Sequence, residues 1–352
     1  MSFSRDLLES LTQTPGISGQ EDAIRSVVAR EMTTLVDEMH VDVLGNVIGR
    51  RGPESGPSIA IAAHIDEIGF IVRHVDDKGF IRVQRIGGFD PRVLVAQRVM
   101  VHPEEGEPLP GVFQPATKPI HLLAGAKPAD LTLDDLFIDL GLSADQVASK
   151  VQIGDMVTMQ RELTLVGDTV VSKALDDRVG VYVMLEAIRK ASNTNVEVFA
   201  IATVQEEIGL RGARAAAHAV TPDVVIALDV TIAGDIPGGS PENAVTRLGE
   251  GAAIKLFDGS QVANRKVVQH LKELATKHKI PFQMEVLPAG GTDAGAFQQS
   301  RTGVAICTLS IPTRYVHTVN EMANVADIQA CVDLLAAFID DLGNRDYAYS
   351  LS

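Results

Sequence analysis

Four short, mostly apolar runs, residues 58–63, 196–204, 224–228 and 304–309, constrain this chain more than any other feature. They lack the strict alternation of a half-exposed strand, so they predict strands buried on both faces, as in sheets covered by helices. Helical periodicity separates them. Val181, Met184, Leu185 and Ile188 share one face after residue 177, and Ile328, Val332, Leu335 and Ile339 share one in the last helix, about 325–342. The pattern predicts an α/β fold: a doubly wound mixed sheet flanked by helices. Two amphipathic helices precede it, then a hairpin turning at Gly45-Asn46.

Between residues 70 and 162 the texture changes. Residues 70–75 and 80–84 flank Asp76-Asp77-Lys78-Gly79 as a hairpin, and β-like pieces recur at 93–101, 111–113 and 156–165. A short helix is expected within 131–140 and a helical turn within 143–151. Residues 70–162 therefore read as a small β-rich insertion, and 1–69 with 163–352 as one α/β domain.

With 352 residues there is ample chain for a sizeable core. A formal net charge of −15 argues against nucleic acid or an anionic membrane as partner. No uncharged apolar run approaches the length of a membrane span. The start lacks the basic and apolar blocks of a signal peptide, so a soluble, cytoplasmic protein is expected. Cys307 and Cys331 cannot make a disulfide framework, and neither has a partner at metal-ligand spacing.

The chemistry gathers at strand ends. The 58–63 run leads into His64 and Asp66, a short strand into Asp176-Asp177, the 196–204 run into Glu206-Glu207, and the 224–228 run into Asp229. His317 follows the 304–309 strand. In an α/β sheet the carboxyl ends of strands share one edge, so these residues can converge. Two imidazoles and several carboxylates suit a pair of divalent ions such as zinc, cobalt or manganese. Each segment has an ordinary alternative: His64 as a lone histidine that binds nothing, Asp177 or Asp229 as a helix cap, Glu206-Glu207 as acids at a helix start, His317 in a polar turn. Five such segments in one chain are hard to explain without a metal centre.

Several stretches resemble those of the M42 metallo-aminopeptidases, which include tetrahedral and glutamyl aminopeptidases. They are Ala62-Ala63-His64-Ile65-Asp66-Glu67-Ile68-Gly69, Lys173-Ala174-Leu175-Asp176-Asp177-Arg178, Val204-Gln205-Glu206-Glu207-Ile208-Gly209-Leu210-Arg211-Gly212-Ala213, Ala227-Leu228-Asp229, Gly290-Gly291-Thr292-Asp293-Ala294 and Tyr315-Val316-His317-Thr318. The resemblance implies two metal ions, zinc or cobalt first and manganese as a further option. His64 and Asp229 would hold one, Glu207 and His317 the other, and Asp176 would bridge them. Asp66 would orient His64, and Glu206 would be the general base that activates water to release amino-terminal residues from short peptides. It also implies that the insertion is a dimerisation domain, and that dimers can build a twelve-subunit hollow tetrahedron. Rival readings are a carboxypeptidase or deacylase using the same metal chemistry, a glycosidase using paired carboxylates, and a non-enzymatic assembly protein.

Overall fold

The chain opens with helices α1 (Arg5–Gln13) and α2 (Asp22–Met32), then strands β1 (Glu38–Val41), β2 (Val47–Arg51) and β3 (Ser58–His64). Its middle contributes β4 (Gly69–Val75), β5 (Ile81–Ile86), β6 (Arg98–His102), β7 (Leu109–Pro115), β8 (Leu136–Asp139), α3 (Ala144–Ala148) and β9 (Met156–Met159). Next come β10 (Thr164–Val166), β11 (Thr169–Ser172), α4 (Leu175–Lys190), β12 (Glu197–Thr203), α5 (Arg211–Ala219) and β13 (Val224–Ile232). The chain ends with β14 (Ala252–Phe257), α6 (Arg265–His278), β15 (Phe282–Val286), α7 (Asp293–Gln298), β16 (Ala305–Arg314), β17 (Glu321–Asn324) and α8 (Val325–Asp341). The structure is a computed structural model and describes residues 3–117, 121, 131–343 and 345–350. Residues 118–120 and 122–130, part of the expected insertion, lie outside the described residues.

Two compact units result. The first comprises Met1–Glu67, Leu163–Val316 and Asn320–Ser352, the second Ile68–Glu162 with His317–Val319.

Eleven described strands of the first unit form one mixed sheet, with β12, β3, β13 and β16 as adjacent parallel neighbours at its centre. All seven residues of β3 are buried, because helices cover what its small apolar side chains leave exposed. The helix α4 packs on β3 and β13 and against α1 and α8, while α7 packs on β3, β13 and β16. Along α4, Val181, Val183, Met184, Leu185 and Ile188 are all fully buried, each contributing about 1.5–3 kcal/mol relative to exposure. No described helix is long and apolar enough to cross a membrane.

In the second unit β4, β5, β8, β7, β6 and β9 close into a barrel. Its own core includes Phe70, Val72, Ile81, Val99, Phe113, Ile138 and Val157, with Phe70 stacked on Phe89 at 4.4 Å. One expectation fails here. The helix expected in 131–140 is a single 3-10 turn, Leu133–Asp135, followed by β8. Leu136 and Ile138 point inward while Phe137 and Asp139 are half-buried, a period of two, and β8 is zipped to β7 along its length.

Candidate metal centre

Strand register assembles the first residues of the site. Thr203 of β12 stands opposite His64 of β3, and Asp229 of β13 opposite Ser310 of β16. Since Ala62 of β3 pairs with Ala227 of β13, His64 and Asp229 each lie two residues farther on and share a face.

His64 is buried, with Nδ1 3.0 Å from the Asp66 backbone carbonyl and Nε2 3.1 Å from Asp176 Oδ1. If Nδ1–H donates to the carbonyl, a neutral ring turns the Nε2 lone pair toward a carboxylate oxygen. That contact repels unless a proton or a cation lies between.

Asp176 enters from a junction that is only formally helical. Asp176 (φ −74°, ψ 109°) and Asp177 (φ −115°, ψ 34°) are non-helical, and the peptide joining them is cis. Asp177 Oδ1 accepts the Gly180 N–H at 3.2 Å, which caps the regular helix. The Asp pair thus divides its work: Asp177 caps, and Asp176 faces His64. A Cβ at position 180 would fall 2.2 Å from Asp177 Oδ1, so glycine is required there. Glu321 of β17 accepts the Asp176 N–H at 3.0 Å.

Glu206 and Glu207 lie on the loop between β12 and α5. Asn46, fully buried, clamps both ends of that loop: Oδ1 accepts from Val204 N–H at 3.0 Å and Nδ2 donates to Gly212 O at 2.9 Å. Its middle is gripped by Asp66, whose Oδ1 accepts the Glu206 N–H at 3.0 Å and Oδ2 the Glu207 N–H at 3.2 Å. Ser18 adds its hydroxyl to Oδ2 at 2.6 Å. The Asp66 carboxylate is 3.5 Å from His64 Nδ1, so the shorter contact to the ring is the carbonyl's.

Ligand atoms of His64, Asp176 and Glu207 all lie within 4.8 Å of one another. This nitrogen and oxygen set fits a divalent cation. Electrostatics agree with the fit. Burial, with the Asp229 charge next, pushes the Asp177 carboxyl well above the usual carboxylate range. Burial and the Asp176 charge do the same to Asp229. Glu206 is raised by burial and by Asp229 and Glu207, with His64 opposing. Burial works against the charge of His64, yet hydrogen bonds to Asp176 and Asp66 hold its pKa well above the ordinary value. Uncompensated buried charges cost several kcal/mol each, which a bound cation would relieve.

His317 has φ 63° and belongs to the His317–Val319 segment of the second unit. Its ring lies against Gly88, where a Cβ would be 3.2 Å from Nδ1.

Some supporting residues escaped the sequence reading. Glu67 is buried and paired with buried Lys173 at 2.7 Å, and Arg178 is fully buried with its guanidinium on the carbonyls of Leu11, Thr14 and Gly16. Asp293 accepts from Thr203 Oγ1 at 2.5 Å, and burial raises its pKa to about 6. Glu67, Lys173, Arg178 and Asp293 all lie inside the stretches that resemble the M42 peptidases. Ser18 and Glu321 lie outside them.

The sequence profile of the M42 glutamyl aminopeptidase family matches residues 45–334. A lysyl aminopeptidase of Pyrococcus furiosus is 36% identical, covering 97% of this chain and 98% of that protein. Among solved structures, aminopeptidase APDkam598 of the archaeon Desulfurococcus kamchatkensis superposes with a TM-score of 0.91 at 41% identity, over 96% of this chain and 94% of that one. The TET1 peptidase of Pyrococcus horikoshii, which can assemble into a tetrahedron or a large octahedral shell, gives 0.86 at 32% identity over 96% and 99%. With the profile spanning most of the chain and a possible metal-binding triad at the strand ends, the chain belongs to the M42 peptidase family of metal-dependent aminopeptidases.

Proposed function

We propose that the enzyme trims short peptides one residue at a time from the amino terminus, using two divalent ions, zinc or cobalt first and manganese as a further option. His64, Asp176, Glu207, Asp229 and His317 would hold them; the convergence of His64, Asp176 and Glu207 within 4.8 Å is the observation that carries this reading. When bound, such ions would lower the pKa of a water and polarise the scissile carbonyl. Glu206 then takes the proton of the attacking water and hands it to the leaving amine. Asp66 holds the backbone amides of Glu206 and Glu207, so base and ligand keep a fixed separation. Several acids around one imidazole favour a positively charged free amino terminus over a blocked one.

The catalytic unit is read as a doubly wound, di-zinc-peptidase-like domain formed by residues 1–69 and 163–352, and residues 70–162 as a dimerisation module. A homo-oligomer built from dimers, up to a tetrahedral dodecamer, is supported by the assembly of the similar Pyrococcus horikoshii TET1 peptidase.

A mass-spectrometric time course tests the activity on one peptide in free, amino-acetylated and carboxy-amidated forms. The free and amidated forms should lose residues singly from the amino end, and the acetylated form should persist. Cleavage of the acetylated form, or early internal fragments, would refute the reading.

A further inference from the structure

The turn at residues 14–19 carries no proposed ligand and precedes the stretch matched by the family profile. Its backbone is nonetheless fastened to the site. The buried Arg178 guanidinium donates to the carbonyls of Leu11, Thr14 and Gly16, the Glu67 N–H donates to Gly16 O at 2.9 Å, and Ile17 bridges to Glu67. None of these contacts uses the Ser18 side chain, which is left to reach Asp66 Oδ2 at 2.6 Å.

We propose that Ser18 is a positioning residue for the hydrolytic site: its hydroxyl locks the Asp66 carboxylate in the orientation that grips the amides of Glu206 and Glu207. This rests on the roles proposed above for those two glutamates.

The chemistry favours a large effect from one hydroxyl. At 2.6 Å to a carboxylate, the contact lies in the strong, charge-assisted range. Of the three hydrogen bonds that the Asp66 carboxylate accepts from Ser18, Glu206 and Glu207, it is the shortest; the amides stand at 3.0 and 3.2 Å. Without it, Oδ2 keeps only the longest of the three, and the carboxylate can swing about its Cβ–Cγ bond toward His64 Nδ1, 3.5 Å from Oδ1. Asp66 is 0% exposed and Ser18 7%, so the hydroxyl's place is largely screened from bulk water. A swing there moves two backbone amides together, and with them the base and a ligand. Partners of this kind typically govern metal affinity or activity by ~10- to 100-fold.

The test compares Ser18→Ala and Ser18→Thr with the parent enzyme. Turnover and KM are measured on an aminoacyl anilide, zinc retention by titration with a chelator, and folding by thermal melting. Ser18→Ala should lower kcat by roughly 10-fold or more with KM within about twofold, and should surrender zinc at lower chelator concentration. Ser18→Thr, which restores the hydroxyl, should recover both. The proposal is overturned if Ser18→Ala keeps kcat and zinc retention within about twofold of the parent, or if Ala and Thr variants fall alike. Glu206→Gln serves as the control: should it retain turnover, the base assignment falls, while zinc retention in Ser18→Ala still decides whether Ser18 fixes Glu207.

Discussion

The Glu321 carboxylate accepts the backbone N–H of Asp176 at 3.0 Å, and both residues are buried. A carboxylate that receives an amide this way fixes the peptide and therefore the direction of the Asp176 side chain. Glu321→Ala strands a buried donor, a cost of about 1–3 kcal/mol. It should also weaken metal retention by ~10- to 100-fold, because a proposed ligand loses its anchor. Glu321→Gln, which keeps a carbonyl acceptor, should behave closer to the parent. Thermal melting and chelator titration on the two variants check this, and equal retention in all three proteins would refute it.

Glu206 and Asp176 should separate cleanly. Glu206→Gln removes a proton acceptor but leaves the His64, Asp176 and Glu207 cluster, so metal content should stay and turnover should drop by at least ~10²-fold. Asp176→Asn removes a member of the cluster and should lose both. Elemental analysis beside initial rates decides it, and near-normal turnover in Glu206→Gln would assign the base elsewhere.

Acidity should stabilise the metal-stripped protein. Asp177, Glu206 and Asp229 are all raised above their ordinary values, so the folded state binds more protons than the unfolded one. Their contribution is therefore fully present below the unfolded values, around pH 4, and is lost as pH rises through the folded ones. His64, also raised, acts in the same direction, losing its contribution as pH climbs through its folded pKa. Asp66, held low by His64 and Ser18 against the cost of burial, opposes them. Melting temperature in chelator should fall from weakly acidic toward neutral pH, and added zinc should remove most of the slope. A melting temperature that rises with pH in chelator would contradict the cluster's electrostatics.

The central strands were legible because fully buried strands have a composition that sequence displays directly: the 58–63 run and the observed β3 nearly coincide. The 131–140 stretch reads as a helix because Leu133, Leu136 and Phe137 satisfy a helical spacing, whereas the strand's period of two rests on Leu136 and Ile138 alone; pairing with β7, invisible locally, decides it. Asp177 is legible as a helix cap, whereas its neighbour's direction depends on Glu321, 145 positions away. The grip of Asp66 on the Glu206 and Glu207 amides was illegible for the same reason, since backbone donors leave no mark in a sequence. Arg178 shows the limit most sharply: its neighbours in sequence are two acids, yet its buried guanidinium donates to the carbonyls of Leu11 in α1 and of Thr14 and Gly16 in the turn that follows, and lies 3.8 Å from the Glu67 carboxylate.

The barrel of the second unit offers the last prediction. Its core, Phe70 through Val157, forms a cluster distinct from the one that fills the α/β unit, and Val319 is the member contributed from outside 68–162. Deleting residues 70–162 with a short Gly/Ser bridge therefore leaves the α/β core intact while removing the proposed dimerisation surface. His317–Val319 belongs to the removed module's unit, so activity is expected to vanish and cannot serve as the readout. Mass by light scattering can. The shortened chain should form a smaller assembly than the parent, with far-ultraviolet circular dichroism reporting a folded α/β remainder. A folded remainder that keeps the parent's number of subunits would place the association surface on the α/β unit instead.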